Sequence, residues 1–278
     1  MVDGNVFYSP YSISTALAMT YEGANGNTAT EMQDVMHYPE DMKSDYAYLF
    51  NAFNVNDDYK LYTANALWMQ EDYEFLPDFV DTVVNYYGSE ANNVDYVSNA
   101  AGATADINTW VEDKTNNKIK DIIPDGMLGS STRLVLTNAI YFKGDWLMEF
   151  DSDNTHDADF YLDDGTTTTV DMMMNTKEDF GYYENDDVQV LEMLYKGEDL
   201  SMLAILPKEG KVDLTLDNLE EWRSGLIEQD VNVYFPKFTF ETKYFMKDML
   251  IDMGMVDAFS NNADFSGMDG TEELLIDN

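Results

Sequence analysis

Cysteine is absent from this 278-residue chain, which removes disulfides, thiolate metal sites and cysteine nucleophiles together and leaves the redox compartment open. Arginine is almost absent: Arg133 and Arg223 are the two, and with the lysines they make 15 basic residues against 54 acidic ones, a formal net charge of −39. Such a field repels phosphate backbones and anionic bilayers, so nucleic acid and membrane are not expected as partners; cations and basic proteins suit its charge better. The acidity is Asp-heavy and spread along the chain, which suits a solvated surface in high salt better than a binding tail. No apolar run approaches bilayer length, and "MVDGNVFYSP" lacks the basic flank and apolar stretch of a signal peptide, so localisation is unknown from these residues. There is no Ser/Gly linker, low-complexity tract or fixed-period repeat.

Histidine is scarce too, with only His37 and His156. No G-x-S-x-G elbow, H-E-x-x-H pair or glycine-rich phosphate loop is present. A Ser/His/Asp site would have to use His37, at the end of a predicted helix, or His156, in a strongly acidic stretch, and both read as surface residues. Paired carboxylates can run acid/base or glycoside chemistry, but with 54 of them proximity carries no information. Asn262, Asp264, Ser266, Gly267 and Glu273 do fall at positions 1, 3, 5, 6 and 12 of a calcium loop. The usual apolar position is Asp269, however, and no good helix follows, so the stretch reads as a polar connection. No enzyme activity, cofactor or metal is therefore expected.

What the chain does have is apolar mass: 45% hydrophobic and 14% aromatic residues can bury a sizeable core, and the prior is one large domain or two closely fused ones. The Trp and Met residues read as core filler. Ser9-Pro10 reads as a cap and first helical residue before Ile13, Ala16, Leu17 and Thr20 at helical spacing, ended by Gly23 to Gly26. "TATE" (28–31) predicts a capping box opening a second helix. Residues 59–69 predict a strand, 75–88 a helix closed by Gly88, and 102–119 a helix with Ile107, Trp110 and Val111 inward. Further on, 161–173 predicts strand, Asp-Gly turn and strand, and 188–207 two strands around Gly197. Last come a helix within 213–227, an extended segment 231–242, and a short helix 244–254 with Gly254 just past its end. Helices early and strands late give an α+β class with a large antiparallel or mixed sheet.

"TRLVLTNAIYFKGDWLMEF" (132–150) poses a question. Leu134, Leu136, Ile140 and Phe142 alternate along one face of a strand, yet Asn138 stands in the same row, where an unpaired amide is costly. A polar residue there calls for a partner and signals a specified hydrogen-bond network. "ANALW" (64–68) and "TNAIY" (137–141) share a pattern, as two strands of one sheet would.

"NVFYSPYSISTALAMTYEGANGNTATEM" (5–32), "LVLTNAIYFKGDWLMEF" (134–150), "VNVYFPKFTFET" (231–242) and "DMGMVDAFSNNADFSGM" (252–268), in that order, resemble the serpin family. The resemblance implies one serpin-like domain over 1–278, with a large mixed β-sheet, smaller sheets and a cluster of helices. It implies an inhibitor of serine, or sometimes cysteine, endopeptidases: an exposed reactive loop is cleaved, an acyl-enzyme forms, and the loop inserts as a new strand of the large sheet. Extracellular location is favoured by the same resemblance. Ser9, Ser12 and Asn138 resemble the shutter residues beneath the sheet centre, and Trp146 resembles the breach tryptophan where the loop first enters. Each residue also has a plain structural role open to it: cap, helix-start residue, strand amide and core aromatic.

The sequence departs from the family pattern at "TEELLIDN" (271–278), where the family continues with a sheet strand carrying a histidine that partners the shutter amide, then the reactive loop and final strands. Most of the first helix should also precede Asn5. The expectation is therefore an incomplete serpin, without the reactive-site bond and inactive as written. Its partner would be a serine protease, engaged through the missing loop. The fragment is expected to self-associate through an open sheet edge beside Asn138. A non-inhibitory serpin-like binding or storage protein is the alternative, since the hinge that separates the two is not in these residues.

Overall fold

The computed structural model describes residues 4–54, 58–162 and 164–277. Two compact units emerge, one of Met1–Asn56, Lys60–Phe142 and Glu241–Asn278, the other of Asp57–Tyr59 and Lys143–Phe240. The fold class is α+β, as expected.

In the first unit, helix α1 (Pro10–Tyr21) starts as its sequence dictates, with Ser9 Oγ accepting from the Ser12 amide at 3.1 Å and Pro10 at a position where a missing N–H costs nothing. Helix α2 (Gly26–Met36) corrects the capping-box expectation. It begins before Thr28, with Asn25 at its N-cap, and Thr28 is buried inside it. The polar groups of Thr28 and Glu31 are drawn instead to the late segment of the chain: Thr28 Oγ1 accepts from the Asp264 amide, and Glu31 Oε2 accepts from the amides of Val256 and Asp257. Helix α3 (Lys43–Phe53) follows, with no fully buried residue. Strand β1 (Tyr59–Gln70) and helix α4 (Pro77–Tyr87) follow, the latter closed by Gly88 in the left-handed region.

Strand β2 (Ser89–Val94) has no sequence counterpart among the expectations. "SEANNV" lacks apolar alternation; the strand runs parallel beside β1, pairing Asn65 with Ser89 and Gln70 with Val94. Helix α5 spans Tyr96–Lys114, but Asn99 inside it is non-helical, and its Oδ1 accepts from the Gly102 amide. The continuous part thus starts close to the expected 102; it ends before the expected 119. Strand β3 (Leu134–Gly144) completes a three-stranded sheet of order β2-β1-β3. Contacts from Gln70 to Arg133, Asn65 to Asn138 and Tyr62 to Tyr141 run in opposite order along the two chains, so β1 and β3 are antiparallel and the sheet is mixed.

The second unit holds β4 (His156–Tyr161), β5 (Thr167–Glu184), β6 (Val188–Leu194), β7 (Ser201–Pro207), α6 (Leu216–Ser224) and β8 (Ile227–Pro236). They form an antiparallel sheet β4-β5-β6-β7, with β8 also on β5. Asp164 and Gly165 turn the first hairpin as expected, while Asp163 lies outside the described residues. Strand β5 runs far beyond the expected 173, past a bulge between Asn175 and Glu178 that hides its alternation. Strand β8 ends at Pro236, with the Lys237 amide still donating to the Asp171 carbonyl at 2.8 Å, and 238–242 is in no strand. The chain returns to the first unit with α7 (Lys247–Met253), closed by Gly254 at φ 117°, and α8 (Ser266–Asp269).

The mixed sheet is packed on both faces. Leu67, Leu134 and Leu136 meet α1, α2 and α4 residues such as Ala18, Met19, Met32 and Val83. On the opposite face Ala66, Trp68 and Val135 meet Tyr96, Ala103 and Ile107 of α5. The first of these cores is rich in tyrosine, and burial pushes the Tyr38 and Tyr87 phenols far above the ordinary tyrosine range, Tyr87 helped by its bond to Glu22. A raised phenol pKa means that the unfolded chain ionises first, so stability held below about pH 10 is lost as pH rises through and beyond it. Each such tyrosine should cost about 1.4 kcal/mol per pH unit there. Urea unfolding followed from about pH 8 to about pH 11 should thus show a steep fall above about pH 10, and a flat profile would contradict this packing.

Candidate functional site

The amide of Asn138 has its partners. It sits on the face of β3 that carries Leu134 and Leu136, turned toward α1 and not toward water. Its Oδ1 accepts from Ser12 Oγ, and its Nδ2 donates to Asn65 Oδ1 at 2.7 Å. Asn65 Nδ2 in turn donates to the Tyr87 carbonyl at 2.6 Å.

Each link follows from local structure. Ser9 caps α1 and so fixes the first turn in which Ser12 lies; Ser9 Oγ itself bonds the Ser12 amide and does not reach Asn138. Tyr87 is the last residue of α4, whose terminal carbonyls have no intrahelical donor. The chain of amides therefore ties β3 to α1 on one side and, through β1, to the end of α4 on the other. Asn65 is 2% exposed and Asn138 half-buried, so the pair is shielded where it meets β1 and more open toward the outer side of β3.

Asn65 was not among the expected site residues, although its signal was present. It is the second residue of "ANALW", as Asn138 is of "TNAIY", and the antiparallel register sets the two opposite one another. Nothing in either strand alone gives that register.

The other edge of β3 carries no strand among the described residues, since β1 is its neighbour in the sheet. Along the apolar row read from the sequence, Leu134, Leu136 and Ile140 are half-buried and Phe142 is 41% exposed, so the row loses its cover toward the end of β3. Trp146 lies in the second unit. Its ring stacks on Tyr195 with centroids 4.4 Å apart and planes at 14°, over an antiparallel bridge between the two residues, and it packs with Phe180, Met193 and Val233. Burial raises the Tyr195 phenol.

His37 ends α2 in the left-handed region, and His156 begins β4 on an exposed edge. In the calcium-loop stretch Asp264 Oδ1 accepts from the amide and hydroxyl of Ser266, and Asp269 from Thr271 and Tyr73. Among the described residues no three His, Asp or Glu side chains converge in a metal-binding group, and no helix is long and apolar enough to cross a membrane.

Residues 2–278 match the family model described as serpin (serine protease inhibitor). An uncharacterised serpin-like protein of Thermococcus kodakarensis is 44% identical over 285 residues, covering 99% of this chain and 66% of its own length. The leukocyte elastase inhibitor of Xenopus tropicalis is 39% identical, covering 98% of this chain and 77% of its own. Among solved structures, reactive-loop-cleaved human thyroxine-binding globulin superposes with a TM-score of 0.90 at 31% identity, covering 97% of this chain and 83% of that one. The chain thus spans about two thirds of the length of the archaeal relative.

Proposed function

We propose, from the premise that this chain belongs to the serpin family, that it is the body of a protease inhibitor rather than of an enzyme, with residues 1–278 as one serpin-like domain. In this reading Ser12, Asn138 and Asn65 hold the sheet shut at β3, Ser9 positions Ser12, and Trp146 lies where an inserting strand first enters. The target is a serine endopeptidase, or a cysteine one, engaged through a reactive loop outside these residues.

The observation that carries the reading is the polar chain Ser12–Asn138–Asn65, set on a strand with one free edge among the described residues. A strand added there would gain ~10 backbone hydrogen bonds at about 1 kcal/mol net each, enough to drive a mechanical trap. The chain supplies no catalytic group to that reaction: the protease does the chemistry and insertion prevents its completion.

The complete gene product, incubated with trypsin-like, chymotrypsin-like and subtilisin-like proteases, should form with one of them a complex that survives denaturing electrophoresis. Cleavage of the protein by all three without such a complex would sink the inhibitory reading. It would favour a binding or storage serpin, a reading supported by the likeness to a thyroxine-binding globulin. The free edge of β3 is also where two copies of this chain would pair.

A further inference from the structure

We propose that Asn25 is a site of spontaneous deamidation, and that its conversion loosens the hold of the turn between α1 and α2 on the segment 254–268. Asn25-Gly26 is the one Asn-Gly pair in the chain, and both residues are exposed. Asparagine at an N-cap ordinarily spends its side-chain oxygen on amides of the first turn, which holds the carboxamide away from its own backbone. Here that bond is missing. The side chain is swung outward instead, with Nδ2 donating to Ser266 Oγ at 3.0 Å across an exposed contact. The Gly26 amide is the first of α2, with no intrahelical acceptor, and Gly26 has φ +54° and no Cβ to crowd the approach.

The chemistry needs water alone. The Gly26 amide nitrogen, losing its proton to water or hydroxide, attacks Asn25 Cγ; a C–N bond forms and the Cγ–Nδ2 bond breaks. Nδ2 leaves as ammonia, and a five-membered imide remains. Water then opens the imide at either carbonyl, giving aspartate, or isoaspartate with the main chain rerouted through Cβ. The sum is amide plus water to acid plus ammonia, with no change of oxidation state.

The consequence is local and directional. Asn25 is one of the clasps on the late segment: its amide donates to the Asp264 carbonyl at 2.9 Å, Thr28 Oγ1 accepts from the Asp264 amide, and the Gly267 amide donates to the Gly23 carbonyl. Conversion removes the Nδ2 donor to Ser266 and creates a carboxylate near that of Asp264, whose Oδ2 lies 3.5 Å from where a Gly26 Cβ would stand. The isoaspartyl product also lengthens the main chain between the Asn25 amide and the Asn25 carbonyl that accepts from Ala29, so both cannot keep their bonds.

The test is ageing of the purified chain at mildly alkaline pH, with peptide mapping by mass spectrometry and enzymatic methylation of isoaspartate. The acid should accumulate at Asn25 several-fold faster than at any other asparagine, as a mixture of both isomers. The converted fraction, separated by ion exchange, should melt about 2–4 °C lower. It should also exchange amides in 254–268 faster than the intact fraction, while Asn25→Gln should age without that change. Preferential conversion elsewhere, or a converted fraction with unchanged melting and exchange, would overturn the proposal. Both fractions come from the natural sequence, so the outcome stands even if the variant folds poorly.

Discussion

Asn65→Ala should lower the unfolding free energy by about 2–4 kcal/mol, more than Asn138→Ala at about 1–2 kcal/mol. Removing Asn65 strips the Tyr87 carbonyl of its donor and Asn138 Nδ2 of its acceptor, in a place 2% exposed where water cannot replace either. Removing Asn138 leaves Asn65 Oδ1 and Ser12 Oγ without it, but the serine hydroxyl can rotate, and Asn138 itself is only half-buried. Urea unfolding of the two variants and the double variant measures this. A coupling of about 1 kcal/mol is expected between the two sites, because they share one bond. If Asn138→Ala proved the more damaging, or the two effects simply added, the amide pair would not be the joint between β1 and β3 described above.

Gly267→Ala is the second large effect, about 3 kcal/mol of destabilisation. A Cβ on Gly267 would stand 2.8 Å from the Gly23 carbonyl oxygen and 3.1 Å from the Gly23 carbonyl carbon and Cα. All three are backbone atoms, and the Gly267 amide is hydrogen-bonded to that same oxygen, so the two segments must part and lose the bond. Gly23→Ala should also be costly, because its Cβ would stand 2.2 Å from Met268 Cγ and 3.3 Å from the Met268 backbone nitrogen, and Met268 is buried with little room to shift. Gly129→Ala, with nothing within 4 Å, serves as control and should be neutral or slightly stabilising. Thermal melts of the three variants rank them. An unperturbed Gly267→Ala would overturn the close approach of the late segment to the α1–α2 turn.

The two effects belong to different parts of one design. The amide chain holds the mixed sheet at β3, whereas the Gly23–Gly267 approach, with Thr28 and Glu31, fastens the late segment to the helices behind the sheet. In the inhibitory reading the first must yield when a strand inserts and the second must not. Asn65 variants should therefore alter trapping as well as stability, and Gly267 variants stability alone.

Sequence alone determined the elements whose signals are local. Ser9-Pro10 specified the start of α1 because a cap and a fixed φ act within one turn; Gly88 and Gly254 closed their helices because both adopt positive φ. The alternation around Asn138 specified a strand and pointed its amide inward, and the ordered motifs specified the family. Tertiary structure decided what depends on partners distant in the chain. "SEANNV" is a strand only because β1 offers it an edge, and "TATE" is not a capping box because residues 256–264 take up its oxygens. Residues 238–242 leave the sheet after the bond from Lys237 to Asp171, the last between this segment and β5 among the described residues. Asn65 became part of the site through a register that no single strand encodes: a hydrogen bond between side chains 73 residues apart is set by how two strands are aligned, and alignment is a property of the folded sheet.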